Sequence, residues 1–489
     1  MLISGADKLE RMRDGRVVYI GAEHVEDVTA HPAFRGAART VADLYEFKRS
    51  PEQKDVLSFE ENGEQYSIYY LRPKNQNDLR RRTAGHKAIA DHTQGMMGRT
   101  PDHVAGMITG LATTPQILDR PERQYGENLL RYYEHARKND LYCVFACVPP
   151  TGARNGEITK GTGPVYPALR VVDEDDRGVY LSGIKMLATG AIFADEMWIG
   201  NLIPLDEKYK SEAITCAVPV NAKGVSLWAR QTLEDKVKCE ADYPLSYRFD
   251  ESDSVLVCDR AFVPWERVFL HNDATNSRGI YIASPANCYA NHQSNVRFWS
   301  KMGLLVGVAH EIAKSNGIDK IPAVRETLGR LAALEATIAG LVSGQIEGWE
   351  QWPTGYACFN RRYMYASLNW CQEHHTEIVD VIRTLLGGSV LQMPASADLL
   401  QSDSLRATFE AWFGTPAIAA IDRLKLFKLA WDIVGSEFAG RHMLYEKFYA
   451  GNSMVVRNQS DREAPWAAFQ GRVEGLLAAV RLPDQPDTI

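Results

Sequence analysis

The chain has 489 residues, 45% of them hydrophobic and 24% charged, with a formal net charge of −7. This is ordinary globular composition, enough chain for roughly two to four domains. The acidic balance lacks the basic face that nucleic-acid binding needs, and no run approaches the ~18 apolar residues of a membrane span.

The first residues, Met1-Leu2-Ile3-Ser4-Gly5-Ala6-Asp7-Lys8, carry an early acid and no long apolar stretch, so no signal peptide is expected. The eight cysteines include no C-x-x-C pair, which points to reduced thiols in a cytoplasmic protein. Cys143 and Cys147 sit in a segment that reads as a buried strand. There is no G-x-G-x-x-G turn, no Walker A loop, and no second histidine after His310-Glu311 to make an H-E-x-x-H site.

Three zones follow in chain order. Residues 1–142 read as a mainly helical domain: 41–48, 79–94 and 127–138 are amphipathic, and Thr100-Pro101 is a helix start with Thr as N-cap and Pro at the first helical position. Residues 143–275 alternate short β-rich runs with Gly, Pro and Asp turns, as in a small barrel. Within them, 168–172 and 179–186 read as a hairpin across the polar turn 173–178. Residues 276–489 return to long helices, at 326–342, 363–386 and 417–449, which suggests a bundle. The last of these helices stops at Gly451-Asn452, and the tail 483–489 is polar and Pro-rich.

Several segments carry possible chemistry. In Gly98-Arg99-Thr100-Pro101-Asp102-His103 a guanidinium lies beside a helix N-terminus, where free N–H groups and the helix dipole add to its charge to make an anion site. Cys147-Val148-Pro149-Pro150-Thr151-Gly152-Ala153-Arg154 leaves a strand through a turn that exposes backbone groups. Leu187-Ala188-Thr189-Gly190-Ala191 ends a strand in small, hydroxyl-bearing residues that let a flat ligand approach the backbone. A Gly387-Gly388 turn follows a long helix, and His292 stands in Ala290-Asn291-His292-Gln293.

In this order the segments resemble the reduced-flavin aromatic hydroxylases typified by the large component of 4-hydroxyphenylacetate 3-monooxygenase. That family shares a fold with the acyl-CoA dehydrogenases, and the likeness runs from Tyr69 to Gly451. The resemblance implies an α+β protein: an N-terminal helical domain (1–142), a central small β-barrel (143–275) and a C-terminal helical bundle (276–489). It implies FAD used as FADH2, supplied by a separate NAD(P)H:flavin reductase, and O2 that forms a C4a-hydroperoxide on the flavin. The product is a hydroxylated phenolic or N-heterocyclic aromatic. It also implies a homotetramer or homodimer.

By the same resemblance, Arg99 holds an anion, His292 is the favoured general base with His103 next in line, and Thr189 hydrogen-bonds the flavin near N5 beside Gly190. Pro150, Thr151, Arg154, Gly387, Gly388, Gly451 and Asn452 complete the expected flavin contacts. The phenol hydroxylases usually carry a tyrosine where this chain has His103, and a histidine where it has Phe145, a substrate-pocket position. An acyl-CoA dehydrogenase-like FAD oxidoreductase is the alternative, but no glutamate is singled out as its base. The related 4-hydroxybutyryl-CoA dehydratases hold an iron–sulfur cluster on three cysteines and a histidine. Here those positions are Arg99, His103, His292 and Trp299, which lack the thiolates, so no metal is expected.

Overall fold

A computed structural model describes residues 2–152, 167–235 and 237–480. The first zone holds α1 (Arg35–Arg49), α2 (Gln76–His92), α3 (Pro101–Ala112) and α4 (Tyr125–Lys138), as its amphipathic runs require. It also holds two three-residue strands, β1 (Val18–Ile20) and β2 (Glu23–Val25), too short to show an alternating pattern. Thr100 precedes α3 with extended backbone, but its side chain makes no cap. The hydroxyl donates instead to Asp102 Oδ1 at 2.6 Å.

The middle zone supplies β3 (Cys143–Ala146), β4 (Arg170–Glu174), β5 (Gly178–Lys185), β6 (Glu196–Ile199), β7 (Ile214–Pro219), β8 (Val225–Ala229), β9 (Ser254–Pro264) and β10 (Val268–His271). The expected hairpin is present: β4 and β5 pair antiparallel. A six-stranded sheet has the order β2-β1-β8-β9-β5-β4, and a four-stranded sheet the order β10-β7-β6-β3. No closed barrel is found among the described residues; strands β1 to β10 lie in these two sheets, and the larger one is extended at its edge by β1 and β2 from the N-terminal zone. β9 runs beside β5 with Leu256 opposite Lys185. The chain leaving β5 at 186–191 therefore lies beside the residues that lead into β9.

The C-terminal zone is helical: α5 (Ala286–Ser315), α6 (Pro322–Glu347), α7 (Arg361–Leu386), α8 (Ala420–Val434), α9 (Glu437–Phe448), α10 (Ser453–Arg462) and α11 (Trp466–Ala478). α5, α6 and α7 pack on one another and carry much of the bundle core. The single helix expected over 417–449 is broken at Gly435-Ser436. Ser436 caps α9 by accepting from the Ala439 amide, and a Cβ at Gly435 would meet the Trp431 ring at 2.3 Å. Gly451-Asn452 ends one helix and starts the next, because Asn452 caps α10 through the Val455 amide.

α3 is buried along its whole length and crosses α5 closely. A Cβ on Gly110 would lie 2.5 Å from the Ala286 backbone, so only glycine permits this approach. The crossing brings the start of α3 against α2 and α5.

Candidate active site

Arg99 is fixed from both sides before its side chain does anything. The Glu251 carboxylate accepts the Gly98 and Arg99 amides at 2.9 and 3.0 Å, and Tyr142 Oη donates to the Arg99 carbonyl at 2.6 Å. The guanidinium then lies 4.1 Å from the centre of the Tyr449 ring. It donates to the Tyr449 carbonyl at 3.0 Å and to His103 Nε2 at 2.5 Å. Desolvation opposes its charge, but Tyr449, Tyr445 and Glu251 outweigh that and raise its pKa. The result is a permanently charged planar donor fork, suited to an oxyanion.

His103, one turn into α3, is 5% exposed. Burial, then Arg99, His86 and Arg297, hold its pKa well below the ordinary histidine value. It is neutral, and because Nε2 accepts from Arg99 its hydrogen is on Nδ1. That Nδ1 is buried without a partner.

The turn after β5 is tied to the stretch before β9. The Ala188 amide donates to the Ser254 carbonyl at 2.8 Å, and the Gly190 amide to those of Ser252 and Glu251. Gly190 has φ +78, and a Cβ there would sit 2.7 Å from Tyr142 Oη, so the Thr189 turn and the Arg99 loop share Tyr142. Thr189 Oγ1 donates to Asp253 Oδ1 at 2.6 Å. Asp253 is itself gripped by Arg441, at 2.8 and 2.9 Å, and by Arg230 at 2.8 Å. Burial acts against its ionisation, but Arg441 and Arg230 prevail and hold its carboxyl far below the usual range. With its hydrogen committed to that carboxylate, the Thr189 oxygen presents only lone pairs.

Beside this turn, Leu187 holds φ +59 and is 56% exposed. A leucine is rarely kept in that conformation with its side chain outward. Val148 bridges to Met186 and the Thr151 amide lies 3.3 Å from Met186 Sδ, so Pro150 and Thr151 run alongside. Arg154 lies outside the described residues. Phe145, half-buried on β3, faces Tyr281 with ring centres 5.8 Å apart.

His292 does not stand where a substrate base would. It is fully buried, with Nδ1 2.8 Å from Gln345 Oε1 and Nε2 2.9 Å from Thr83 Oγ1. Its ring stacks on Phe359 at 3.5 Å. Burial, then His86, holds its pKa well below the ordinary value. Both nitrogens are spent in pinning α5 to α2 and α6, so neither is left to take a substrate proton. Gly387 and Gly388 lie at the exposed end of α7 with open space around them, not in the Arg99 cluster. Gly451 lies next to it, two residues from Tyr449, with φ +95, and its carbonyl accepts from Gln372 Nε2 at 2.8 Å. The Asn452 side-chain oxygen is occupied in capping α10.

The family models described as 4-hydroxyphenylacetate 3-hydroxylase N terminal and C terminal match residues 4–270 and 277–478. The chain belongs to the 4-hydroxyphenylacetate 3-hydroxylase family. Among its relatives, the pyoverdin chromophore biosynthetic protein PvcC of Pseudomonas aeruginosa is 32% identical, over 98% of this chain and 95% of that one. The oxygenase component of 4-nitrophenol 2-monooxygenase from a Rhodococcus species is 31% identical, over 94% and 88%. The solved structure of the oxygenase component HpaB of 4-hydroxyphenylacetate 3-monooxygenase, complexed with FAD and 4-hydroxyphenylacetate, has a TM-score of 0.92 at 27% identity over 98% of each chain. An archaeal 4-hydroxybutyryl-CoA dehydratase from N. maritimus shares the fold, with a TM-score of 0.87 at 20% identity over 100% of this chain and 97% of that one.

For this hydroxylase-family chain, sequence reasoning missed Tyr142, Arg230, Glu251, Asp253, Arg441 and Tyr445. Two signals were there. Asp250-Glu251-Ser252-Asp253-Ser254 is a dense polar run directly before a strand. Arg441, Tyr445 and Tyr449 recur every four residues, which lines them on one helix face. Neither signal says that they meet across 188 residues, as Asp253 and Arg441 do.

Proposed function

We propose that this chain is the oxygenase component of a two-component aromatic hydroxylase, taking FADH2 from a separate NAD(P)H:flavin reductase. The substrate is a small aromatic with an ionisable hydroxyl or ring N–H, in keeping with the phenols named for its relatives. When bound, reduced FAD supplies the activation of O2. The observation that carries the reading is the Arg99–His103 pair at the buried start of α3, a cation and a neutral imidazole 2.5 Å apart.

The residues present fit a flavin. Thr189 offers an acceptor to an N–H at the edge of a flat ring, Gly190 leaves clearance, and the outward Leu187 and the Pro150–Thr151 turn offer apolar and backbone contacts. Arg99 receives the oxyanion of the substrate in its donor fork. The base is His103 rather than His292, since the Nε2 lone pair of His103 already lies against Arg99. A substrate hydroxyl that displaces the Arg99 guanidinium from His103 gives its proton to Nε2 and leaves its oxyanion in the Arg99 fork. Ionisation makes the ring electron-rich, and the buried surroundings keep water from the reacting oxygen. Phe145 and Tyr281 form an apolar wall suited to the ring.

The finer architecture belongs to the same proposal: an acyl-CoA dehydrogenase-like arrangement of domains 1–142, 143–275 and 276–489, the middle one barrel-like. So does assembly into a homotetramer or homodimer in the cytoplasm. Support for assembly comes from the C-terminal helices. α11 buries none of its residues, and Trp412, Leu476 and Leu477 are 80%, 70% and 63% exposed, more apolar surface than a monomer ordinarily leaves to water. Gly387 and Gly388, open to solvent here, would then meet flavin bound to a neighbouring subunit.

The test combines the purified protein with a flavin reductase, FAD, NADH and a library of phenols and N-heterocycles, and follows product mass. A gain of one oxygen that depends on both proteins is the expected result. Reduction of a dye by an acyl-CoA, with no oxygenated product from any aromatic, would overturn it.

A further inference from the structure

Thr189 carries the hydroxyl of the turn after β5, and its hydrogen-bonding sense is set by Asp253, a residue the mechanism above does not use. A threonine hydroxyl ordinarily gives or takes a hydrogen bond as its partner requires. Here the choice is made in advance. Thr189 Oγ1 donates to Asp253 Oδ1 at 2.6 Å, and an ionised carboxylate only accepts. That carboxylate is held on both oxygens. Arg441 places Nε 2.8 Å from Oδ2 and Nη2 2.9 Å from Oδ1, and Arg230 Nε lies 2.8 Å from Oδ2. The Asp253 carbonyl also accepts from the Arg230 amide at 3.0 Å. Both arginines are anchored in turn, Arg230 on Asp250 at 2.5 Å and Arg441 on Glu251 at 3.2 Å. The carboxylate can neither rotate away from Thr189 nor readily take up a proton that would reverse the bond.

We propose that Asp253 determines which redox state of the flavin this chain accepts: by holding the Thr189 hydrogen it leaves an oxygen that can only accept, and that oxygen selects the reduced ring. The chemistry of the ring supplies the criterion. Nitrogen N5 bears a hydrogen in reduced flavin and only a lone pair in oxidised flavin, whereas N3 bears a hydrogen in both. An acceptor at N5 therefore pairs with the reduced ring and meets the oxidised one lone pair against lone pair. The position of Thr189 points to the N5 edge. A Cβ at Gly190 would lie 2.7 Å from Tyr142 Oη and 3.6 Å from the Arg99 carbonyl oxygen, so the Thr189 turn is packed on the loop that holds the substrate anion. The ring edge facing Thr189 is then the edge nearest the substrate, at which a flavin reacts.

Such a filter has a use in a two-protein system. Where a separate reductase recycles the flavin, oxidised FAD is present beside FADH2, and an oxygenase that bound both alike would be occupied by the unreactive form. A fixed polar atom left unpaired rejects the wrong ligand more strongly than a missing apolar contact does. Asp253 acts through Thr189, so it is a positioning residue. Replacing it with asparagine reverses the sense of the bond. The carboxamide oxygen goes where two arginine Nε atoms converge, at the Oδ2 position, and the NH2 group turns to Thr189. Thr189 then accepts from Asn and turns its own hydrogen outward, toward a lone pair.

This inference rests on the reading of the Thr189 turn as part of a flavin site, and the experiment separates the two. Dissociation constants for FADH2, titrated anaerobically, and for oxidised FAD are measured without aromatic substrate. The wild type is expected to bind FADH2 about tenfold or more tighter, which raises the midpoint potential of the bound two-electron couple by ~30 mV for each factor of ten. In Asp253→Asn the ratio is expected to fall at least tenfold, with oxidised FAD bound more tightly than by the wild type, a gain that damage to the fold cannot produce. Thr189→Val leaves the carboxylate with its arginines, so it tests the contact however well Asp253→Asn folds. It is expected to lose the preference, and adding Asp253→Asn to it should not change the ratio further, because the carboxylate acts through the hydroxyl. A folded wild type that binds neither form overturns the flavin site and this inference together. Equal binding of the two forms by the wild type, or a preference that persists in Thr189→Val or in folded Asp253→Asn, overturns the inference and leaves the flavin site standing.

Discussion

At the residue scale, Arg99 and His292 illustrate how differently two polar side chains expected at one site can be spent. Arg99 keeps its charge at the junction of α3, the Glu251 loop and Tyr449, with His103 as its only side-chain hydrogen-bond partner among the described residues. Arg99→Ala is expected to lower kcat/KM for hydroxylation roughly ten- to hundredfold, the weight of one charge-assisted hydrogen bond of ~1.5–3 kcal/mol. Arg99→Lys is not expected to restore it, because a point charge replaces a planar fork. Normal coupling of product to NADH consumed in either variant would remove Arg99 from the site. For His292 the expectation is reversed. Its nitrogens hold Gln345 and Thr83 and its ring stacks on Phe359, so His292→Ala leaves a cavity and two unpaired buried groups, and a loss of about 2–4 kcal/mol of stability is expected in a denaturant titration. Product yield per NADH in whatever protein remains folded should stay near that of the wild type. A stable variant that releases peroxide in place of product would return His292 to the role of base.

At the scale of elements, the site is a knot of four chain segments: the start of α3, the turn after β5, the stretch before β9 and the face of α9 that carries Arg441 and Tyr445. Tyr142 and Glu251 each touch two of these segments, which keeps the knot rigid without any one long element running through it. Gly190 is the tightest point. Its positive φ and the nearby Tyr142 Oη mean that Gly190→Ala adds both strain and a clash. A loss of at least ~1–3 kcal/mol of stability is expected, together with a fall in flavin affinity measured by equilibrium titration, since Thr189 and Arg99 both move when Tyr142 is displaced. Unchanged affinity would mean that the turn is not part of the flavin site.

At the scale of the whole molecule, the number of buried neutral histidines sets how the fold responds to acid. His86, His103, His292, His375 and His442 all have pKa values lowered first by burial, His375 to about 3. In the unfolded chain they take up protons near the ordinary value of ~6.5. Between that value and the folded ones the unfolded state binds more protons, so stability is full above about pH 6.5 and is lost as pH falls. The carboxylates Asp253 and Glu446, held low by their arginines, add a second loss below about pH 4. The thermal midpoint is therefore expected to be level between pH 7 and 8 and to fall steadily from pH 6.5 to 5, before carboxylates titrate. A midpoint constant down to pH 5 would show that these histidines ionise freely in the fold.

The three-zone order and most of the long helices can be read from the sequence, because amphipathic periodicity and caps act within one or two turns. Arg99, Thr189 and Gly190 were also legible as candidates, since a cation at a helix start and a small hydroxyl-bearing strand end are local patterns. Local pattern did not reveal the break at Gly435, whose cause is the packing of Trp431, or the addition of β1 and β2 to the large sheet, which are too short to carry a pattern of their own. Nor could it distinguish His103 from His292. Both stand in helices and both titrate near neutrality when free. That Gln345 and Thr83 occupy one ring while the other keeps Nε2 for Arg99 came from the fold, because hydrogen-bond partners drawn from separate elements are fixed by how those elements cross.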